Sequence, residues 1–157
     1  MALTAKIRRL IKLSIATVFL LASSWWVNGV LAHSYKLDEI SVGHIWAPPP
    51  IASDEIVPVF GAIVNRGSEP LRLIGATTPI ADTVSFRTES GSEGRETDSI
   101  ALLPGKVHAM ATWREHMVLA GLRRELRAED TFEVILEFDD GRTLAVQVIV
   151  EPQSGHN

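Results

Sequence analysis

The chain has 157 residues and a formal net charge of −4, and it contains no cysteine. The missing thiols exclude disulfides and every zinc or iron–sulfur site that is built from cysteine. The acidic balance argues against nucleic acid and anionic lipid as partners, and the length suits one domain.

The first 32 residues are typical of a secretory signal peptide. Four basic residues between positions 6 and 12 precede the apolar stretch 13–22, and Val30-Leu31-Ala32 supplies small or apolar residues before a cleavage site. An uncleaved anchor is the alternative, because residues 13–32 are just long enough to span a bilayer. Polar residues in the second half of this stretch favour cleavage after Ala32. The exported part would keep 11 cations against 19 acids, a charge of −8.

The rest of the chain, residues 33–150, shows the pattern of short strands and forms one domain, followed by a loose tail over residues 151–157. Predicted strands cover 56–64, 71–74, 84–87, 100–103, 107–110, 116–119, 131–138 and 143–150. The sequence Asp139-Asp140-Gly141-Arg142 separates the last two and predicts a hairpin. Residues 122–129 are predicted to cross between sheets as a loop. About eight strands without a sustained helical period indicate an all-β antiparallel sandwich or barrel.

Two histidine–methionine pairs lie close together in the sequence, His108-Ala109-Met110 and His116-Met117. They hold both methionines of the chain other than Met1. Imidazole and thioether groups are suitable ligands for soft Cu(I). The alternative is that the methionines fill gaps in the core.

Two further histidines are candidate ligands. Cleavage after Ala32 would make His33 the N-terminal residue, and its α-amine and imidazole could then chelate Cu(II). His44 precedes Trp46, which is expected to anchor the first strand. No Gly-x-Ser-x-Gly motif or cysteine nucleophile is present, so we expect a binding protein and not an enzyme.

The sequence resembles the PCuAC periplasmic copper chaperones (the DUF461-type family) over roughly residues 34–150. The resemblance is carried by many short matches in the same order. They are Ile40 to Pro48 with Trp46, Val59 to Asn65 followed by Arg-Gly, Leu71-x-Leu-Ile-Gly75, Leu119-x-Gly-Leu122-x-Arg124-x-Leu126, Asp130-x-Phe132, and the last hairpin. The resemblance implies a cupredoxin-like β-sandwich that binds Cu(I) in the periplasm and delivers it to a receiving protein such as cytochrome oxidase.

The family's copper ligands are a first His or Met, a Met about ten residues later, and a His-x-Met pair. Arg87 stands at the first position here, and no Met lies between Arg87 and Ile100. At about 4 Å and an effective dielectric near 20, a guanidinium would repel Cu(I) by about 4 kcal/mol. The resemblance therefore implies a family site that is weakened or lost.

The His-x-Met pair can be placed in two registers. In an ungapped register, His116 and Val118 take the positions of the family's His and Met, and Met117 faces away from them. In the second register, His108 and Met110 take these positions, and residues 111–118 become an insertion. The ungapped register is favoured. It predicts that residues 107–110 and 116–119 form one hairpin around residues 111–115, so that His108, Met110 and His116 can meet.

The predicted function is copper binding and delivery by a monomer that has no membrane contact after cleavage. The alternative is a degenerate β-sandwich without metal that serves as an interaction or structural module of the envelope.

Overall fold

The structure, a computed structural model, describes residues 34–51, 56–88 and 94–152. The predicted signal peptide, His33 and most of the C-terminal tail lie outside these ranges. The described residues form strands and no helix, so they contain no helix that could cross a membrane. The strands are β1 (Tyr35–Leu37), β2 (Ile40–Val42), β3 (Trp46–Ala47), β4 (Ile56–Val59), β5 (Gly61–Asn65), β6 (Leu71–Thr77), β7 (Ala81–Arg87), β8 (Glu96–Thr97), β9 (Ile100–Leu102), β10 (Val107–Met110), β11 (His116–Leu122), β12 (Thr131–Phe138) and β13 (Thr143–Val150).

Three sheets hold these strands. Their orders are β1-β2-β5-β10, β4-β11-β7-β8 and β3-β13-β12-β6-β9. Every pairing is antiparallel except that of β3 with β13. The all-β antiparallel class that the sequence predicts is confirmed.

The hairpin of β12 and β13 is the clearest product of the sequence pattern. Buried and exposed residues alternate along β12, as expected for a strand with one face on the core. The turn is closed by a hydrogen bond from the Phe138 amide to the Arg142 carbonyl (2.9 Å), and Gly141 adopts a φ of 85° that favours glycine. The prediction of a hairpin at this place is confirmed.

Apolar side chains from all three sheets form one core. Ile40, Ile63, Leu73, Met117 and Leu136 are among its fully buried members. The connection from β11 to β12 contains no helix, and Leu126 within it is buried in the same core. This segment is a loop, as predicted.

The hairpin predicted for residues 107–119 is wrong. β10 pairs with β5, and β11 pairs with β4 and β7, so the two strands belong to different sheets. The loop 111–115 therefore joins two sheets. The sequence pattern could not show this, because a five-residue connection fits both a hairpin and a crossing.

Candidate functional site

His108 and Met110 lie on the same face of β10. Successive side chains of a strand alternate between faces, so residues two apart share one. Both are buried, and Met110 belongs to the core cluster. Their partners on β5 are Ile63 and Gly61. The strand thus places an imidazole and a thioether side by side.

The carbonyl of Glu115 orients the imidazole of His108. The distance from His108 Nε2 to this oxygen is 3.1 Å. Because a carbonyl only accepts, the ring carries its proton on Nε2, which leaves the lone pair of the neutral ring on Nδ1. A histidine that ligates a metal through one nitrogen commonly donates from the other to a carbonyl in this way. The Glu115 carboxylate lies 4.0 Å from the same Nε2.

His116 and Met117 point to opposite faces of β11. Met117 packs in the core, and its cross-strand partners are Val59 and Phe86. The fully buried imidazole of His116 lies on the other face, with its centroid 5.4 Å from that of Phe60. Neighbours on one strand that face opposite ways cannot bind the same ion, so these two residues do not form a joint site.

Arg87 lies directly across from His116 in the pairing of β7 with β11. Its Nε is buried and has no hydrogen-bond partner among the described residues. Burial lowers the pKa of His116, and the positive charge of Arg87 lowers it further. Hydrogen bonding to the Arg114 carbonyl, 2.8 Å from Nδ1, and to that of Ala111 acts in the opposite direction. This face of β11 thus carries the positive charge of Arg87 beside the imidazole of His116. That charge disfavours the binding of Cu(I) there.

The other two candidate ligands are His44, which lies outside β10 and β11, and His33. His44, between β2 and β3, forms a 3.0 Å contact from Nε2 to a carboxylate oxygen of Glu151. His33 lies outside the described residues. No three or more His, Asp or Glu residues of the described ranges are grouped so that they could hold a metal.

Two residues near the candidate ligands, Glu115 and Phe60, carry no functional signal in the sequence. Glu115 orients His108 through its main-chain carbonyl, and a main-chain contact leaves no trace in residue type. Phe60 packs between Trp46 and His116, with its ring centroid 5.0 Å from that of Trp46. The apolar run 56–64 contains Phe60, but its periodicity does not reveal that the chain passes from one sheet to another there.

Comparison with known proteins identifies the family. The family model described as "Putative lipoprotein LpqE-like" matches residues 40–150. The chain belongs to the LpqE-like family. A curated relative, "Putative lipoprotein Lxx21020" of Leifsonia xyli subsp. xyli, is 29% identical over 127 residues, which cover 78% of this chain and 75% of the relative.

Solved structures share the fold of this LpqE-like chain. The copper-bound PCuAC domain from PmoF2 superposes with a TM-score of 0.68 at 23% identity, and the match covers 76% of this chain and 98% of that domain. The Cu(I) form of DR1885 from Deinococcus radiodurans gives a TM-score of 0.62 at 21% identity, covering 81% and 86%. The cupredoxin-like sandwich and the PCuAC resemblance are thereby confirmed. At these identities the match shows the fold and not the copper site.

Proposed function

We propose that this protein binds Cu(I) in the bacterial envelope and delivers it to a receiving protein such as cytochrome oxidase, without catalysing a reaction. The placement of His108 and Met110 on one face of β10 carries this proposal. An imidazole and a thioether together prefer Cu(I) over harder ions. The fold, which copper-bound PCuAC domains share, supports it.

We further propose that His108 and Met110 are the primary ligands, and that His116 and Met117 are not. The Glu115 carbonyl fixes the tautomer of His108, and the thioether of Met110 lies on the same face of the strand. A chaperone must also release its ion, and few ligands favour release.

Export is part of the same proposal. The LpqE-like family and the relative from Leifsonia are named as lipoproteins, and residues 1–32 have the pattern of a signal peptide. These 157 residues include no cysteine, so they cannot carry a lipid that attaches through a thiol. We therefore infer that residues 33–157 act in the periplasm after cleavage.

Competition with a chromophoric Cu(I) chelator tests the ligand assignment. The variants His108→Ala and Met110→Leu should each weaken Cu(I) binding about tenfold or more, which corresponds to about 1.4 kcal/mol or more. The matched variants His116→Ala and Met117→Leu should leave the affinity nearly unchanged. Weaker binding in the β11 variants with unchanged affinity in the β10 variants would instead assign the copper site to β11.

A second candidate function is that of a metal-free interaction module. It is favoured by Arg87, which lies across from the neutral His116 and disfavours a cation on that face. In this case the wild-type protein would bind Cu(I) no more tightly than the variant His108→Ala does.

A further inference from the structure

Bound Cu(I) would bring a positive charge into a buried part of the molecule. The two proposed ligands, the imidazole of His108 and the thioether of Met110, are uncharged in the form that binds a metal, and their residues are only 6% and 2% exposed. Taking an ion out of water is costly unless an opposite charge lies nearby. The affinity of this site therefore depends on which charged groups surround His108.

The carboxylate of Glu115 is the acidic group that lies beside His108. One of its oxygens is 4.0 Å from Nε2 of the ring. No other carboxylate of residues 34–51, 56–88 and 94–152 comes as close to this ring. The side chain of Glu115 is 42% exposed, whereas that of His108 is 7% exposed. A partly exposed negative charge thus lies against a buried imidazole.

No neighbouring cation neutralises this carboxylate in the described part of the chain. Arg114 precedes Glu115 in the sequence, and Arg87 lies across from His116, the residue that follows it. Neither guanidinium forms an ion pair with Glu115 within the described ranges. The main-chain carbonyl of the same residue accepts a hydrogen bond from Nε2 of His108 at 3.1 Å. Glu115 therefore presents both a carbonyl and an unpaired negative charge to one nitrogen of the ring.

We propose that the Glu115 carboxylate is a positioning residue for copper, which raises the Cu(I) affinity of the site by offsetting the charge of the ion through His108. This proposal rests on the assignment of His108 and Met110 as ligands. A metal ion on one nitrogen of an imidazole draws electrons from the ring, so the opposite N–H becomes a stronger donor. A carboxylate near that N–H stabilises the positive charge that the ring and the metal then share. The variant Glu115→Gln removes this charge but keeps the length of the side chain and the main-chain contact.

Equilibrium competition with a chromophoric Cu(I) chelator at low and high ionic strength tests the proposal on protein purified after export. At low salt Glu115→Gln should bind Cu(I) about fivefold more weakly than the wild type, an effect typical of a partly exposed charge pair. The ratio of the two affinities should approach one in about 1 M salt, where the screening length is about 3 Å. A loss that is the same at both salt concentrations would assign Glu115 a structural role and overturn the proposal.

Two further variants separate the charge of Glu115 from its shape and from the net charge of the protein. Glu115→Asp retains a carboxylate and should recover most of the affinity. Glu133→Gln removes an exposed acid on β12, in another sheet, and should leave the affinity unchanged. Nitrogen-15 NMR of the copper-free protein should show the same tautomer of His108 in the wild type and in Glu115→Gln, and a changed tautomer would overturn a purely electrostatic role.

The failure of this proposal can be distinguished from the failure of the proposed function. Wild-type affinity in Glu115→Gln at low salt would overturn the role of the carboxylate but leave copper binding standing. Copper binding by the wild type no tighter than that of His108→Ala would instead overturn the proposed function.

Discussion

Arg87 and His116 are direct cross-strand partners on β7 and β11, and they share the face of the sheet that Phe60 also occupies. The arrangement places a permanent cation beside a fully buried imidazole. Such a neighbour favours the neutral ring, as burial does. The positive charge of Arg87 therefore disfavours a bound cation on this face, which the ungapped register assigns to copper.

Replacing Arg87 should therefore raise the pKa of His116. In the variant Arg87→Met the repulsive charge is gone, but burial, the larger cause, remains. The pKa of His116 should rise, which an NMR titration of the ring protons can measure. The control Arg123→Met removes an exposed guanidinium that pairs with Asp82. It should leave the pKa of His116 as it is, and an unchanged value in Arg87→Met would contradict the coupling.

The stability of the fold should decrease when the solution is acidified below about pH 6.5, the ordinary pKa of histidine. The pKa of His116 is lowered in the folded state, so between that lower value and about 6.5 the unfolded chain binds more protons. Stability consequently falls as the pH falls through this window. The free energy of unfolding in urea at pH 7.5 and 5.5 measures the effect. The variant His116→Gln should show a smaller loss than the wild type, and an equal loss would assign the pH dependence to other groups.

The fold was predictable from the sequence to a greater degree than the site. Residues 131–150 alternate in polarity around Asp140-Gly141, and this local signal suffices for the last hairpin. The position of β10 relative to β11 depends on which sheet each strand joins, and that is decided by packing. That His116 and Met117 point to opposite faces follows from the alternation of side chains along a strand, once residue 116 is assigned to a strand. The contact of His108 with the Glu115 carbonyl uses the main chain, to which residue identities give no guide.

Gly61 should be essential for the stability of the sheet that contains β10. It adopts a φ of 150°, and a Cβ at this position would lie 2.6 Å from the His44 carbonyl oxygen and still closer to the side chain of Ile45. Gly105 makes a suitable comparison, because its φ is 66° but a Cβ there would meet nothing within 4 Å.

The variant Gly105→Ala should cost about 1–2 kcal/mol of backbone strain. Gly61→Ala should cost about 1–3 kcal/mol more, because the close contacts force the main chain to move. Urea denaturation of the two variants gives the comparison. Equal losses of stability would show that the approach of Gly61 to His44 and Ile45 is not tight. Since Gly61 is the partner of Met110, the more damaged variant should also bind Cu(I) more weakly.

A second copper site should appear when the ligands implied by the ungapped register are restored on β7 and β11. His116 and Val118 share one face, with Arg87 across from His116. The double variant Arg87→His, Val118→Met therefore brings two imidazoles and a thioether together and removes the repelling charge. Competition titration should then detect additional tightly bound Cu(I) compared with the wild type. The single variant Val118→Met serves as the control, because it retains Arg87 and should gain little. If the double variant binds no more copper than this control, the charge of Arg87 is not what prevents binding, and the position of the ligands on β7 and β11 is at fault.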